Sequence, residues 1–286
     1  IVLHRQSGHH LLIVGQRDET ALALLGLSVL TLAAQHPAGA ARFVVFDALP
    51  AGSTQRAFME SVVYQLWAGG TIQAAKGASS PGLRPPSPPF GMEERDGERR
   101  RSENPSRAVR HDAMLAGVLY VDAVMTDLSA EFARRADASI AATAPAIFVV
   151  VNGLQRFKGL KVEDDFSFAS DADAGAPKPG AVFNQLISEG ADRGMHVLCW
   201  CDTWNNLTRQ LNRKAISEFE LRVLFQMSAT DSASLMDSPA AGNLGLHRAI
   251  LYNAQAGTAE TFRPYALPDQ GWVEEAIAEL RDTEKV

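Results

Sequence analysis

Cysteine is nearly absent from this chain: there are two in 286 residues. A pair cannot build a disulfide framework, which excludes the small stapled secreted scaffolds and fits a reducing cytoplasm. Cys199 and Cys201 are two apart on an apolar stretch, so on a strand both thiols point to one face. With His196 they form an incomplete ligand set, since no second pair stands at zinc-like spacing, and small core residues are the default reading. Long apolar runs are missing too. Ala21 to Ala34 falls short of the roughly 20 residues that a membrane span needs, and Ser28 and Thr31 interrupt it. It reads as a buried helix. No charged segment followed by an apolar core marks a signal peptide. A basic excess is also lacking: 27 Lys and Arg against 33 Asp and Glu leave a net charge of -6. Any nucleic-acid contact must therefore be local or shared with another subunit or domain.

What is present is ordinary globular composition, 46% apolar and 21% charged, in a length that admits one large α/β domain or two small ones. The chain opens at Ile1 and enters a strand-like pattern almost at once, which reads as a domain cut from a longer polypeptide. Strands are expected at Leu11 to Val14, Arg42 to Asp47, Ala146 to Val151, Met195 to Cys201, Leu221 to Met227 and His247 to Tyr252, with an edge strand at Glu260 to Arg263. Helices are expected at Asp18 to Gln35, Gln55 to Trp67, Ala113 to Asp137, Phe183 to Glu189, from Trp204 behind an Asp202-Thr203 cap, and Gly271 to Arg281. Strand, helix, strand at this spacing predicts a mainly parallel, twisted sheet with helices on both faces. Residues 71–112 are rich in Pro, Gly, Ser and charge and read as a disordered insertion, dividing one domain into parts 1–70 and 113–286. A second polar, acidic loop is expected from Phe157 to Lys178. Its Glu163, Asp164 and Asp165 stand consecutively and fit no metal-binding loop. Arg209, Arg213 and Lys214 are read as one helix face, either toward a partner or merely solvated.

The order of residues between Gly194 and Asn253 carries more information than the element pattern. Gly194-x-His196-Val-Leu is followed by Arg222-Val-Leu-Phe-Gln-x-Ser228, then Asp231-Ser232 with Leu235-x-Asp237, then Ala240-Ala241 and Leu244-Gly245. This succession resembles the C-terminal half of FtsK/SpoIIIE-type motor domains, a branch of the P-loop NTPases that pump DNA or act on protein substrates in secretion. The resemblance extends over most of Leu11 to Pro268, including the Glu131-to-Arg135 end of the helix before the second nucleotide motif. It implies a P-loop-type α/β fold.

Aligned on that family, the nucleotide motifs depart from the working pattern. A phosphate-binding G-x-x-x-x-G-K-[ST] turn needs its glycines for backbone N–H groups to close on phosphate, its Lys for the outer phosphates and its hydroxyl for magnesium. Here the stretch is Gly15-Gln16-Arg17-Asp18-Glu19-Thr20-Ala21-Leu22. Thr20, Ala21 and Leu22 replace the second glycine, the lysine and the magnesium ligand, and Asp18 and Glu19 occupy the positive end of the helix. An N-capped core helix is the bland reading. The second motif strand ends in Asn152-Gly153 where an active motor has Asp-Glu, one carboxylate for magnesium and one for the attacking water. The resemblance also places Trp200-Cys201-Asp202 where the family has a sensor, with Cys201 and Asp202 the sensor-like residues. Asp231-Ser232-Ala233 stands where it has Asp-Ser-Arg, and Arg222 is a subunit-interface arginine or an ordinary strand-end one.

The expectation is a degenerate, non-hydrolysing domain serving a larger translocase or secretion machine, with no cofactor and at most weak ATP and magnesium. Its partners would be neighbouring ATPase domains of the same chain or of a ring, with DNA or protein as substrate. Two rivals stand beside it. One is an ATPase whose site is completed from elsewhere, with Lys158 and Lys161 and the carboxylates at 163–165 as candidates. The other is a protein-binding module using the emptied pocket or a face carrying Trp200 and Trp204.

Overall fold

The computed structural model describes residues 1–66, 111–162 and 177–283. Most of the insertion at 71–112 and the acidic stretch from Glu163 to Asp165 lie outside them. Eight strands form one sheet in the order β3-β2-β4-β5-β1-β6-β7-β8. The strands are β1 Leu11–Val14, β2 Ala41–Asp47, β3 Asp112–Ala116, β4 Ala146–Asn152, β5 Met195–Cys201, β6 Leu221–Leu224, β7 Ala249–Asn253 and β8 Thr258–Phe262. The first six pair in parallel, and β7 and β8 extend the sheet as an antiparallel hairpin. The stretch from Gly194 to Asn253 thus differs from the parallel strand-helix-strand reading. β5 and β6 flank β1 rather than each other, and β7 turns back on β6.

The central strands β4 and β5 are buried along their whole length, as an apolar, β-branched run requires when helices cover both faces. One face packs against helices α1 (Asp18–Ala34), α2 (Thr54–Leu66) and α9 (Gln270–Thr283). The other packs against α3 (Val121–Arg134), α5 (Pro179–Gln185), α6 (Trp204–Gln210), α7 (Arg213–Ser217) and α8 (Ala229–Met236), and the short α4 (Ala138–Thr143) leads into β4. Helix α1 is apolar nearly all round. Gly26 lets Phe58 of α2 come so close that a Cβ there would lie 2.6 Å from its ring. This is a buried helix of a globular core, and no described helix is long and apolar enough to cross a membrane.

Three expectations are corrected. The helix expected from Ala113 is a strand, β3, up to Ala116; Gly117 breaks it and α3 starts only at Val121. Residues 157–162 are not a solvated loop, because Phe157, Leu160 and Val162 are buried in the core. Arg209 ends α6, whereas Arg213 and Lys214 open α7 after an extended break at Leu211, so the three do not share one helix.

Candidate functional site

In parallel sheets, ligands are received at the C-terminal ends of the strands, where the chain changes direction. Here that edge is formed by Val14, Asp47, Asn152, Cys201 and Leu224. The turn after β1 is short. Gly15, at φ 134°, leads through Gln16 and Arg17 into α1 at Asp18. Only glycine takes that backbone without strain, and a Cβ on it would lie 2.7 Å from Cβ of Phe225. The Gly15 N–H donates to the Cys201 carbonyl at 3.1 Å. Its carbonyl accepts from the Arg17 N–H at 3.0 Å and from the Trp200 indole N–H at 3.1 Å. By Ala21 the backbone is helical, its N–H donating to the Arg17 carbonyl at 2.8 Å. The turn therefore has three residues, and the N–H groups of Gly15 and Arg17 and the Gly15 carbonyl are engaged within the chain.

Of the positions aligned with the phosphate motif, Gln16 is exposed and Thr20 half-buried. Ala21 and Leu22 point into the core. The expected N-cap is not formed, since Arg17 makes no side-chain cap bond. The helix field is met by its own carboxylates: Asp18 faces Arg156 at 3.6 Å, and Glu19 accepts from Gln55.

The second motif is organised by a residue that the motif comparison did not single out. Asp47 ends β2 directly beside Asn152, the last residue of β4. Both are 1% exposed. The Asn152 amide donates to Asp47 Oδ1 at 3.1 Å, and the Leu49 N–H donates to the same oxygen at 3.0 Å. Arg56 donates to the Asp47 main-chain carbonyl and stands 3.4 Å from Oδ2. Asp47 Oδ2 and Asn152 Oδ1 have no hydrogen-bond partner among the described residues. The signal for Asp47 was present in the sequence, an acid closing an apolar strand. Its neighbour is 105 residues away in sequence, so the strand order was needed to see it.

Gly153 takes the left-handed conformation at φ 82°. Its missing side chain leaves room for Arg156, whose Cδ would lie 3.2 Å from a Cβ there. Arg156 lies over the Trp200 ring at 5.7 Å while reaching Asp18. One cation thus links the segment after β4, the end of β5 and the start of α1.

The sensor-like pair serves local structure. Cys201 is buried, and its thiol is pushed up to about 12 by burial first and the neighbouring Asp202 charge as a lesser cause, so it stays neutral. Asp202 accepts from the Asn206 amide at 2.8 Å, and Thr203 caps α6 by accepting from the Asn206 N–H. Cys199 and Cys201 do share a face of β5, while His196 projects to the opposite one, which separates it from both thiols. Trp200 and Trp204 also divide between the two faces and form no common surface. The Arg222 guanidinium donates to the carbonyls of Phe219, Leu235 and Ile216 and leans on Tyr252. Ser232 is buried, donating to the Ser238 carbonyl and accepting from the Ala241 N–H. Asp231 lies in the first turn of α8, its N–H donating to the Ser228 cap. Lys158 and Lys161 are exposed.

No family model and no curated protein matches the sequence. Solved structures do match the fold. The conjugation coupling protein TcpA of pCW3, with ATPγS, superposes at a TM-score of 0.54 and 12% identity over 95% of this chain and 64% of that one. EccC of Thermomonospora curvata (ATPases 2 and 3, with a signal sequence peptide) gives 0.52 and 12% over 97% of this chain and 43% of its own. EssC of Geobacillus thermodenitrificans (ATPases 2 and 3) gives 0.54 and 9%, covering 96% and 44%. The chain shares its α/β fold with these ATPase domains. The chain spans less than two thirds of the length of each of these three proteins.

Proposed function

We propose that this FtsK-type domain is a non-hydrolysing module that supports or regulates a larger motor, through contacts with neighbouring ATPase domains of its own chain or of a ring. One observation carries the reading. The turn that would cradle phosphate has three residues, and its Gly15 is closed in by Phe225 and by the Trp200 indole. A phosphate cradle needs several free backbone N–H groups pointing at one spot. Here the Gly15 N–H is given to Cys201 and the Arg17 N–H to Gly15, and the lysine and hydroxyl positions are Ala21 and Leu22, inside the core. Asn152 beside Asp47 offers one carboxylate where two would be required. Calorimetric titration with ATP and ATPγS, each with and without magnesium, tests this reading. Absence of heat and of any shift in melting temperature is expected. Tight magnesium-dependent binding, or turnover that changes on substituting Ala21 or Asn152, refutes it.

Asp47 favours one rival specifically. A buried carboxylate at the strand end could act in a nucleotide site completed by a partner that brings a lysine. In that case a neighbouring ATPase domain would restore turnover, and Asp47→Asn would abolish it. DNA and protein substrates remain alternatives for the assembled machine. EccC, which shares the fold, has been captured with a signal sequence peptide.

A further inference from the structure

We infer that the opposite, N-terminal edge of the sheet holds a binding site for a small hydroxycarboxylate. A cavity of about 500 Å³ opens there, at the starts of β2, β4 and β5. That size is within the range of small-ligand sites. The space exists because its walls are short, among them Ala40, Ala142 and Ala146, while the polar groups that line it are Arg5, His36, Thr143 and His196.

The hydrogen bonding of those groups defines the guest. His196 Nδ1 is 2.8 Å from the His9 carbonyl, and His36 Nδ1 is 2.8 Å from the Leu32 carbonyl. A carbonyl can only accept, so each neutral ring carries its proton on Nδ1 and leaves Nε2 as a bare acceptor. No described residue donates to either Nε2, although His196 is 1% exposed. Burial holds its imidazolium form down to about pH 4, so the acceptor persists at neutral pH. Phe148 fixes both rings, stacking on His196 at 5.6 Å and meeting His36 edge-on at 5.4 Å. Arg5 brings the opposite requirement. It lies exposed at the rim of the cavity, donates to the carbonyls of Ala141 and Ala144, and has no described carboxylate within ion-pair distance. An unbalanced guanidinium calls for an anion, whereas bare imidazole nitrogens repel anions and call for a donor. A molecule with a carboxylate at one end and a hydroxyl at the other answers both. A metal ion is not favoured, because among the described residues no three His, Cys, Asp or Glu side chains cluster and Arg5 opposes a second cation.

The probe is 4-hydroxybenzoate, titrated into the protein by calorimetry beside benzoate, which lacks the hydroxyl, and phenol, which lacks the carboxylate. A Kd of about 1 mM or tighter is expected for the first, with the other two at least about tenfold weaker. Arg5→Gln and, separately, His36→Phe, which keeps the ring contact with Phe148, should each weaken 4-hydroxybenzoate by about tenfold or more. Failure of 4-hydroxybenzoate to bind up to about 10 mM, a few kcal/mol at best, overturns the inference. So does equal binding of all three probes, or binding unchanged in both variants. The outcome is independent of any nucleotide at the other edge.

Discussion

Mild acid should destabilise this domain through two buried histidines at the lower edge of the sheet. His10 is fully buried, with Nε2 2.9 Å from the Ile187 carbonyl and Nδ1 accepting the Val197 N–H at 2.9 Å. The Ile187 carbonyl belongs to a π-helical turn, Leu186–Gly190, which leaves main-chain carbonyls without their usual partners. A proton on Nδ1 would set a donor against the Val197 N–H, in a site that also disfavours charge. Burial, with nearby His196 next in weight, accordingly pushes His10 down to about 3, and burial first of all pushes His196 down to about 4. The sign follows from linkage. The folded pKa values lie below the unfolded one near 6.5, so both states are neutral at pH 7 and only the unfolded chain takes up protons as the pH falls. Stability is complete above the unfolded pKa and is lost on the way down to the folded values. At pH 5 each histidine has cost about 2 kcal/mol, or about 4 together, against a typical total of 5–15 kcal/mol. That figure depends little on the folded values, because at pH 5 both remain neutral. Glu131, held down to about 2 chiefly by its hydrogen bond with Arg134, loses its contribution only below its ordinary value and lies outside this window. Urea unfolding at pH 7, 6 and 5 with a common m-value measures the loss. His10→Gln should lower stability at pH 7 by about 1–3 kcal/mol and halve the slope between pH 6 and 5. A stability flat to within about 0.5 kcal/mol from pH 7 to 5, or a slope unchanged in the variant, refutes the reasoning.

Four substitutions probe the upper edge. Asp47→Ala leaves the Asn152 amide and the Leu49 N–H without their acceptor, while Arg56 keeps the residue 47 carbonyl and Glu60, and should cost about 2–4 kcal/mol, read as a fall in the urea midpoint. Gly15→Ala combines a disfavoured backbone with a 2.7 Å approach to Phe225 and should cost more than Gly153→Ala, where the left-handed turn alone costs about 1–2 kcal/mol. Trp200→Phe removes the indole donor to Gly15 and should cost about 1–3 kcal/mol without creating nucleotide affinity. A gain of magnesium-dependent ATP binding in that variant would show that the indole alone had closed the cradle.

The central strands were legible because β4 is an unbroken apolar run from Ala146 to Val151 and β5 is apolar but for His196, at lengths that suit a buried strand. Gly15 was legible as the pivot after β1. The edge strand β3 was not, because Met114 and Leu115 continue without interruption into the apolar stripe of α3, and Gly117 is a weak boundary in a helical pattern. The antiparallel turn of β7 onto β6 escaped for a similar reason, since α8 between them imitates a crossover helix. At the site, substitutions within the motifs could be read directly from Ala21 and Asn152. The surrounding contacts could not, because the Trp200 contact with Gly15 and the Asp47 contact with Asn152 join strands whose adjacency the sequence does not state.

Those contacts bear on the proposed non-hydrolysing role. A phosphate-binding turn holds several unpaired N–H groups at the head of a helix, and a Walker-type strand ends in exposed carboxylates; both are costly without a ligand. In this chain several polar groups at this edge are answered internally. Asp18 answers the α1 terminus and Arg156 answers Asp18, with Trp200 beneath it. Trp200 and Arg17 answer the Gly15 carbonyl, and Asp47 answers Asn152. Each of these contacts persists without a bound ligand. The cost of such an arrangement is adaptability, because a phosphate at this turn would have to take the Gly15 N–H away from the Cys201 carbonyl.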